Sequence, residues 1–144
     1  MENLIKEEIK SIVDSFNKQG KMNFLKHTTE EKILTFEKMT GIVLPSAYKD
    51  WLLFSDGGEL FLPAGIQLYG IESKPIIDVN DNSRPSDNYV VIGALASGDP
   101  ILFKKNSEEI AIYNQTDGKI EDDEIYNNFI AFLSDLYRLL GIGG

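Results

Sequence analysis

Apolar side chains recur at helical spacing at Ile5, Ile9, Ile12, Val13 and Phe16, while Glu2, Lys6, Lys10, Asp14 and Lys18 fill the opposite face four residues apart. The pattern predicts an amphipathic helix of about four turns that stops at Gly20. Thr28 and Glu31 have capping-box spacing ahead of the apolar positions Ile33, Leu34, Phe36 and Met39, and Gly41 suits the left-handed backbone that closes a helix. A second, shorter helix is expected there. Pro45 fits the first turn of a third helix, where its missing N–H would have no partner, with Tyr48, Trp51, Leu52 and Phe54 as the apolar face. Aromatic residues at that spacing belong to a core more often than to a recognition surface, although the Tyr48 hydroxyl can reach an edge. Asp56-Gly57-Gly58 ends the helix in a turn.

Beyond Gly58 the period changes. Short β-rich runs at Glu59–Leu62, Ile66–Ile71, Tyr89–Ala94, Pro100–Phe103 and Glu109–Asn114 are separated by Gly, Pro, Asp and Asn. Asp117-Gly118 is a two-residue hairpin signal, which adds a sixth strand from Lys119 to Asp122. Helical spacing returns from Phe129 to Leu140, started by Asn127 or Asn128 and closed by Gly141. The expected fold is α+β, a mostly antiparallel sheet of about six strands packed against N-terminal helices and a C-terminal helix. Residues 72–88 show no period and form the longest irregular segment, the kind of loop that often binds.

At 144 residues and 42% hydrophobic, the chain is read as one domain over residues 1–144, with enough apolar side chain for its own core. It contains no cysteine, so neither disulfides nor thiolate zinc sites are available. No apolar run approaches the length of a membrane span, and charges interrupt the N-terminal segment, so a cytoplasmic location is expected. The net charge of −9 opposes nucleic-acid binding and favours a basic partner. That charge is unevenly placed: residues 1–55 hold 8 acids and 8 bases, whereas residues 56–144 hold 15 acids and 6 bases. An acidic surface also keeps a protein soluble, which is a sufficient reason in itself.

The residues that carry catalysis are scarce. The one histidine, His27, precedes the second helix with no cysteine anywhere to serve as its nucleophile, and Ser97-Gly98-Asp99 reads as a turn between strands. Asp56-Gly57-Gly58-Glu59 surrounds its glycines with carboxylates and would repel phosphate. Asp78, Asn80 and Asn82 match the opening of a calcium loop, but Ser83 and Tyr89 stand where its Gly and closing Glu belong. No catalytic residue, metal or cofactor is therefore expected. Two acidic sets remain as candidate partner-binding residues: the run Glu121, Asp122, Asp123 and Glu124, and the loop residues Asp78, Asp81 and Asp87.

Residues Ile33-Leu34-x-Phe36-Glu37, Thr40-Gly41-x-x-Leu44-Pro45-x-x-Tyr48-Lys49-x-Trp51-Leu52 and Ser55-Asp56-Gly57-Gly58 resemble the signature of the SUKH superfamily, which includes the fungal Smi/Knr cell-wall regulators. Val91-Ile92, Gly98-Asp99 and Phe129-Ile130-Ala131-Phe132-Leu133 continue the resemblance, which covers roughly residues 29–140. The chain departs from the pattern at Asp56, where relatives more often have Asn, and at Ala94–Ser97, where they are richer in Gly. The resemblance implies a non-catalytic α+β domain that in bacteria commonly serves as an immunity protein, neutralising a toxin that is often a nuclease. It marks Glu37, Pro45, Tyr48, Trp51, Gly57 and Gly58 as fold determinants and leaves the partner surface open. The alternative it implies is a regulatory or scaffolding interaction module.

Overall fold

A computed structural model of the chain describes residues 2–63 and 65–141, and within the first helix it describes side chains from Glu7 onward. The expected places of Glu2, Ile5 and Lys6 on the helix faces therefore lie outside the described residues. Helix α1 (Glu2–Gln19) buries Ile9, Val13 and Phe16, and the N–H of Gly20 donates to the Phe16 carbonyl. A three-residue strand, β1 (Lys21–Asn23), follows; it is too short for alternation to reveal it in the sequence.

Helix α2 (Glu30–Thr40) is capped by Thr29, whose hydroxyl accepts from the Lys32 N–H, and not by Thr28. Gly41 closes it at φ 72°. The expected apolar face is narrower than the sequence suggests: Ile33 is buried, but Leu34 is 55% and Met39 82% exposed. They lie about 100° and 240° around the helix axis from Ile33, outside the buried stripe. Helix α3 (Ser46–Leu52) starts one residue after Pro45, which holds the N-cap position, outside the first turn.

The strands β2 (Gly58–Leu62), β3 (Ile66–Leu68), β4 (Tyr89–Leu95), β5 (Pro100–Lys104), β6 (Ile110–Asn114) and β7 (Lys119–Tyr126) join β1 in one sheet. Each strand pairs antiparallel with its chain neighbour, giving the order β1 to β7: seven strands, close to the six expected. The run from Ile66 ends at Leu68, because Gly70 turns away to bridge Ile76. The β6–β7 connection has four residues, 115–118, where two were expected, and Asn114 Oδ1 accepts the Asp117 N–H inside it. The C-terminal helix is two pieces, α4 (Phe129–Ser134), capped by Asn128, and α5 (Leu136–Leu140), with Asp135 between them.

Helices α1, α3 and α4 pack on one another over one face of the sheet. There Phe16, Trp51, Phe129 and Phe132 meet Ile92, Ile101, Phe103 and Ile112 in the core. The alternate positions form a row on the other face through the pairs Val91↔Leu102, Leu102↔Ala111 and Ala111↔Ile125. The first three are buried, and Ile125 is exposed at the sheet edge.

Candidate protein-binding surface

Three groups could carry function: the α3–β2 turn, the loop after β3 and the edge strand β7. The turn is built from α3 downward. Its inward face places Tyr48 and Trp51 in full burial, with the Trp51 ring edge-on to Phe24, Phe54 and Phe129. The indole N–H donates to the Gly57 carbonyl at 3.0 Å, and the Ser55 hydroxyl donates to the same oxygen at 2.8 Å while accepting the Leu25 N–H. Gly57 sits at φ 93°, and a Cβ there would lie 2.5 Å from the Leu68 carbonyl oxygen, so close backbone approach as well as conformation requires glycine.

Asp56 differs from its sequence reading. It does not ring a surface loop with charge; it is buried, and its carboxylate accepts the N–H groups of Ile71, Glu72 and Ser73 at 2.7, 2.9 and 2.7 Å. One side chain thereby fixes the start of the long loop. The Tyr48 hydroxyl is likewise not at an edge: it donates to the Tyr69 carbonyl. Burial pushes its pKa well above the usual phenol range, and the charge of Asp56 adds to the rise. Every buried side-chain nitrogen and oxygen among the described residues has a partner, so this polar centre is a closed structural unit. His27 is exposed, with Nδ1 3.0 Å from the Thr28 carbonyl oxygen.

In the loop, Asp78 Oδ1 accepts the Asn80 N–H and Asp81 Oδ1 accepts the Ser83 N–H, both as turn-forming contacts. Asp87 pairs with Arg84 at 3.0 Å, and the Arg84 guanidinium also donates to the Val79 and Tyr89 carbonyls. Among the described residues no group of three or more His, Cys, Asp or Glu is placed to hold a metal ion.

Strand β7 closes one side of the sheet. Asp122 and Asp123 are exposed, Glu121 and Glu124 half-buried, and the register shifts between the pairs Ala111↔Ile125 and Tyr113↔Ile120, so four residues of β7, 121–124, stand against one of β6, Ile112. Arg138 from α5 braces this irregular stretch: its guanidinium donates to the Asp123 carbonyl, the Tyr126 hydroxyl and the Asp135 carboxylate. Arg138 and the Tyr126 hydroxyl hold the Asp135 carboxyl below its ordinary pKa. Partial burial, then Asp123, raises that of Glu124, and Asp99 contributes in the same direction. Asp99 is the acidic neighbour that sequence spacing does not reveal. It reaches the β6–β7 turn by accepting the Gln115 N–H.

The two predicted acidic sets are not brought together. The loop feeds β4 at the end of the sheet opposite the Asp99 turn, and β5 and β6 stand between β4 and β7.

Helices stacked on one face of an antiparallel meander, a buried Tyr-Trp helix and a Gly-Gly turn locked beneath it define a domain of the SUKH type. A model of the SMI1/KNR4 family (SUKH-1) matches residues 27–135, and the chain belongs to that family. No curated protein gives a match to the chain. Among the described residues no helix is long and apolar enough to cross a membrane.

Proposed function

We propose that this SUKH-1 domain, taken as the whole of residues 1–144, acts in the cytoplasm as an immunity protein that binds a basic toxin domain and catalyses nothing itself. The observation that carries the reading is the acidic surface: the net charge resides in residues 56–144, and its densest run lies in the edge strand β7 with Asp122 and Asp123 in solvent. Family membership supports protein binding as the mode of action. Nucleases fit best as the toxin class, because an enzyme that grips phosphate must present Lys and Arg, the complement of this surface. Asp78, Asp81 and Asp87 form a second candidate patch at the other end of the sheet.

The test is association with a candidate basic toxin domain, measured at several salt concentrations. Charge steering raises the association rate by roughly 10- to 1000-fold at low salt, and replacing Asp122, Asp123 and Glu124 together by Lys removes the gain. Association indifferent to salt rejects the electrostatic reading. Slowing by Asp78→Lys with Asp81→Lys alone moves the surface to the loop. A growth defect on deletion with no toxin present favours the regulatory module instead.

A further inference from the structure

Two methionines with described side chains, Met22 and Met39, stand in very different settings. Met39 is in solvent on α2. Met22 lies in β1, an outermost strand of the sheet, where it is half-buried and packs against the core. The β1–β2 pairing is irregular there: Lys21 faces Leu62 and Asn23 faces Glu59, so Met22 alone stands against Leu60 and Phe61. Phe61 has a left-handed φ of 58°, and its N–H donates to the Met22 sulfur at 3.3 Å. A thioether is a weak acceptor, yet here it holds the backbone donor of a buried residue.

What this contact steadies extends beyond the strand. The Phe61 ring is edge-on to Phe16 of α1 at 4.8 Å and to Tyr137 of α5 at 5.8 Å, so it ties both helices to β2. A Cβ on Gly20 would stand 2.8 Å from that ring and 3.6 Å from the Met22 methyl, so ring and methyl fill the space that the glycine leaves. An oxygen added to the sulfur has no room toward the N–H. The sulfur is already 3.3 Å from the nitrogen, and an oxygen bonded to it on that line would stand closer than about 2.7 Å, the lower limit of an N–H···O bond. An oxidised Met22 must swing away and leave the Phe61 N–H without this acceptor.

We propose that Met22 is an oxidation site: a peroxide reaches its sulfur at the sheet edge and, by converting it to the sulfoxide, loosens Phe61 and with it the hold of α1 and α5 on β2. The sulfur gives an electron pair to one oxygen of hydrogen peroxide as the O–O bond breaks. The hydrogen on the transferred oxygen passes to the leaving oxygen, which departs as water, so sulfur loses two electrons and the peroxide gains them. Met39 takes up oxygen without consequence for the fold. The change at Met22 is reversible, because methionine sulfoxide reductases return the thioether.

The test treats the full chain, Met22→Leu and Met39→Leu with hydrogen peroxide, maps each sulfoxide by mass spectrometry and follows thermal unfolding. Conversion of Met22 should lower the midpoint of the parent and of Met39→Leu by roughly 3–8 °C, and the reductases should restore it. Met22→Leu should keep its midpoint within about one degree under the same treatment. In the isotope-labelled parent, the Phe61 amide signal should shift in step with Met22 conversion and not with that of Met39. If Met22→Leu does not fold, this signal decides alone. A parent with oxidised Met22 and an unchanged midpoint overturns the proposal. So does a Met22→Leu chain that loses as much as the parent, a Phe61 signal that ignores Met22, or a Met22 that stays reduced after Met39 is fully converted.

Discussion

The α3–β2 turn and the β7 edge both depend on carboxylates and use them in opposite ways. At the turn, Asp56 is buried and its oxygens accept three backbone N–H groups. At the edge, four consecutive acids lie in or near solvent, and their backbone is steadied by a cation, Arg138, from another element. A carboxylate enclosed by donors organises the fold, since removing it orphans groups that water reaches poorly. Carboxylates crowded together in solvent add little to folding and oppose one another, which leaves them free to meet a partner. The comparison predicts large stability effects at the turn and small ones at the edge, with the reverse order for partner association.

The largest expected effect is at Trp51. Its ring is fully buried among three aromatic neighbours and its N–H is bonded, so Trp51→Ala should lose about 3–5 kcal/mol in denaturant or thermal unfolding. A variant melting within a few degrees of the parent would break the comparison at its strong end. Asp56→Asn follows. The amide keeps one acceptor but turns an N–H₂ toward backbone donors, and a loss of about 1–3 kcal/mol is expected. The same change should lower the Tyr48 pKa, because the Asp56 charge helps to raise it. A Tyr48 titration that stays put would separate packing from charge at this turn.

Asp56 also shows where the sequence could be read and where it could not. Periodicity announced the helices and most strands, because one face of each is buried and the other wet. The Gly-Gly turn was legible because two positive-φ residues in succession favour glycine. The role of Asp56 was not, since its three donors lie 15 to 17 residues away and nothing local marks them. The same reason hid Arg138 behind β7 and Asp99 beside Glu124. The acidic run itself was plain in the sequence. Its place on an edge strand follows only from the sheet order.

Alkaline pH should act on the buried phenols at both places, Tyr48 at the turn and Tyr126 at the end of β7. Tyr48 and Tyr126 both have pKa values raised above the ordinary phenol value, first through burial, with Asp56 and Asp135 adding to the rise. A raised pKa means the folded state keeps a proton that the unfolded state releases, so the associated stability is full below about pH 10 and falls as pH rises toward the folded values. Unfolding midpoints followed from pH 8 to 11 should therefore hold and then decline. Tyr126→Phe removes the ionisable group, and its own decline should be shallower. A parallel decline in both proteins would mean that Tyr126 contributes nothing to the alkaline limit.

The smallest effect tests the edge. Partial burial and the neighbouring charges of Asp123, Glu121 and Asp99 raise the Glu124 pKa, while Arg138 pulls it down. The rise means that the folded state favours the protonated acid, so the charged form costs stability once pH exceeds the ordinary carboxylate range, and the penalty vanishes as pH falls. Glu124→Gln keeps the shape and removes the charge. It should raise stability at pH 7 by less than about 1 kcal/mol, because the side chain is only half-buried and solvent screens its neighbours. The difference from the parent should shrink toward zero as the pH of unfolding is lowered to about 4. The variant should also associate slightly more slowly with a basic toxin domain at low salt, as one steering charge is gone. Stabilisation with slower association is the combination that a surface kept acidic for a partner requires. A Glu124→Gln chain that is less stable at pH 7 would instead make the attraction of Arg138 dominant, and β7 would then be a braced structural strand like the turn it was contrasted with.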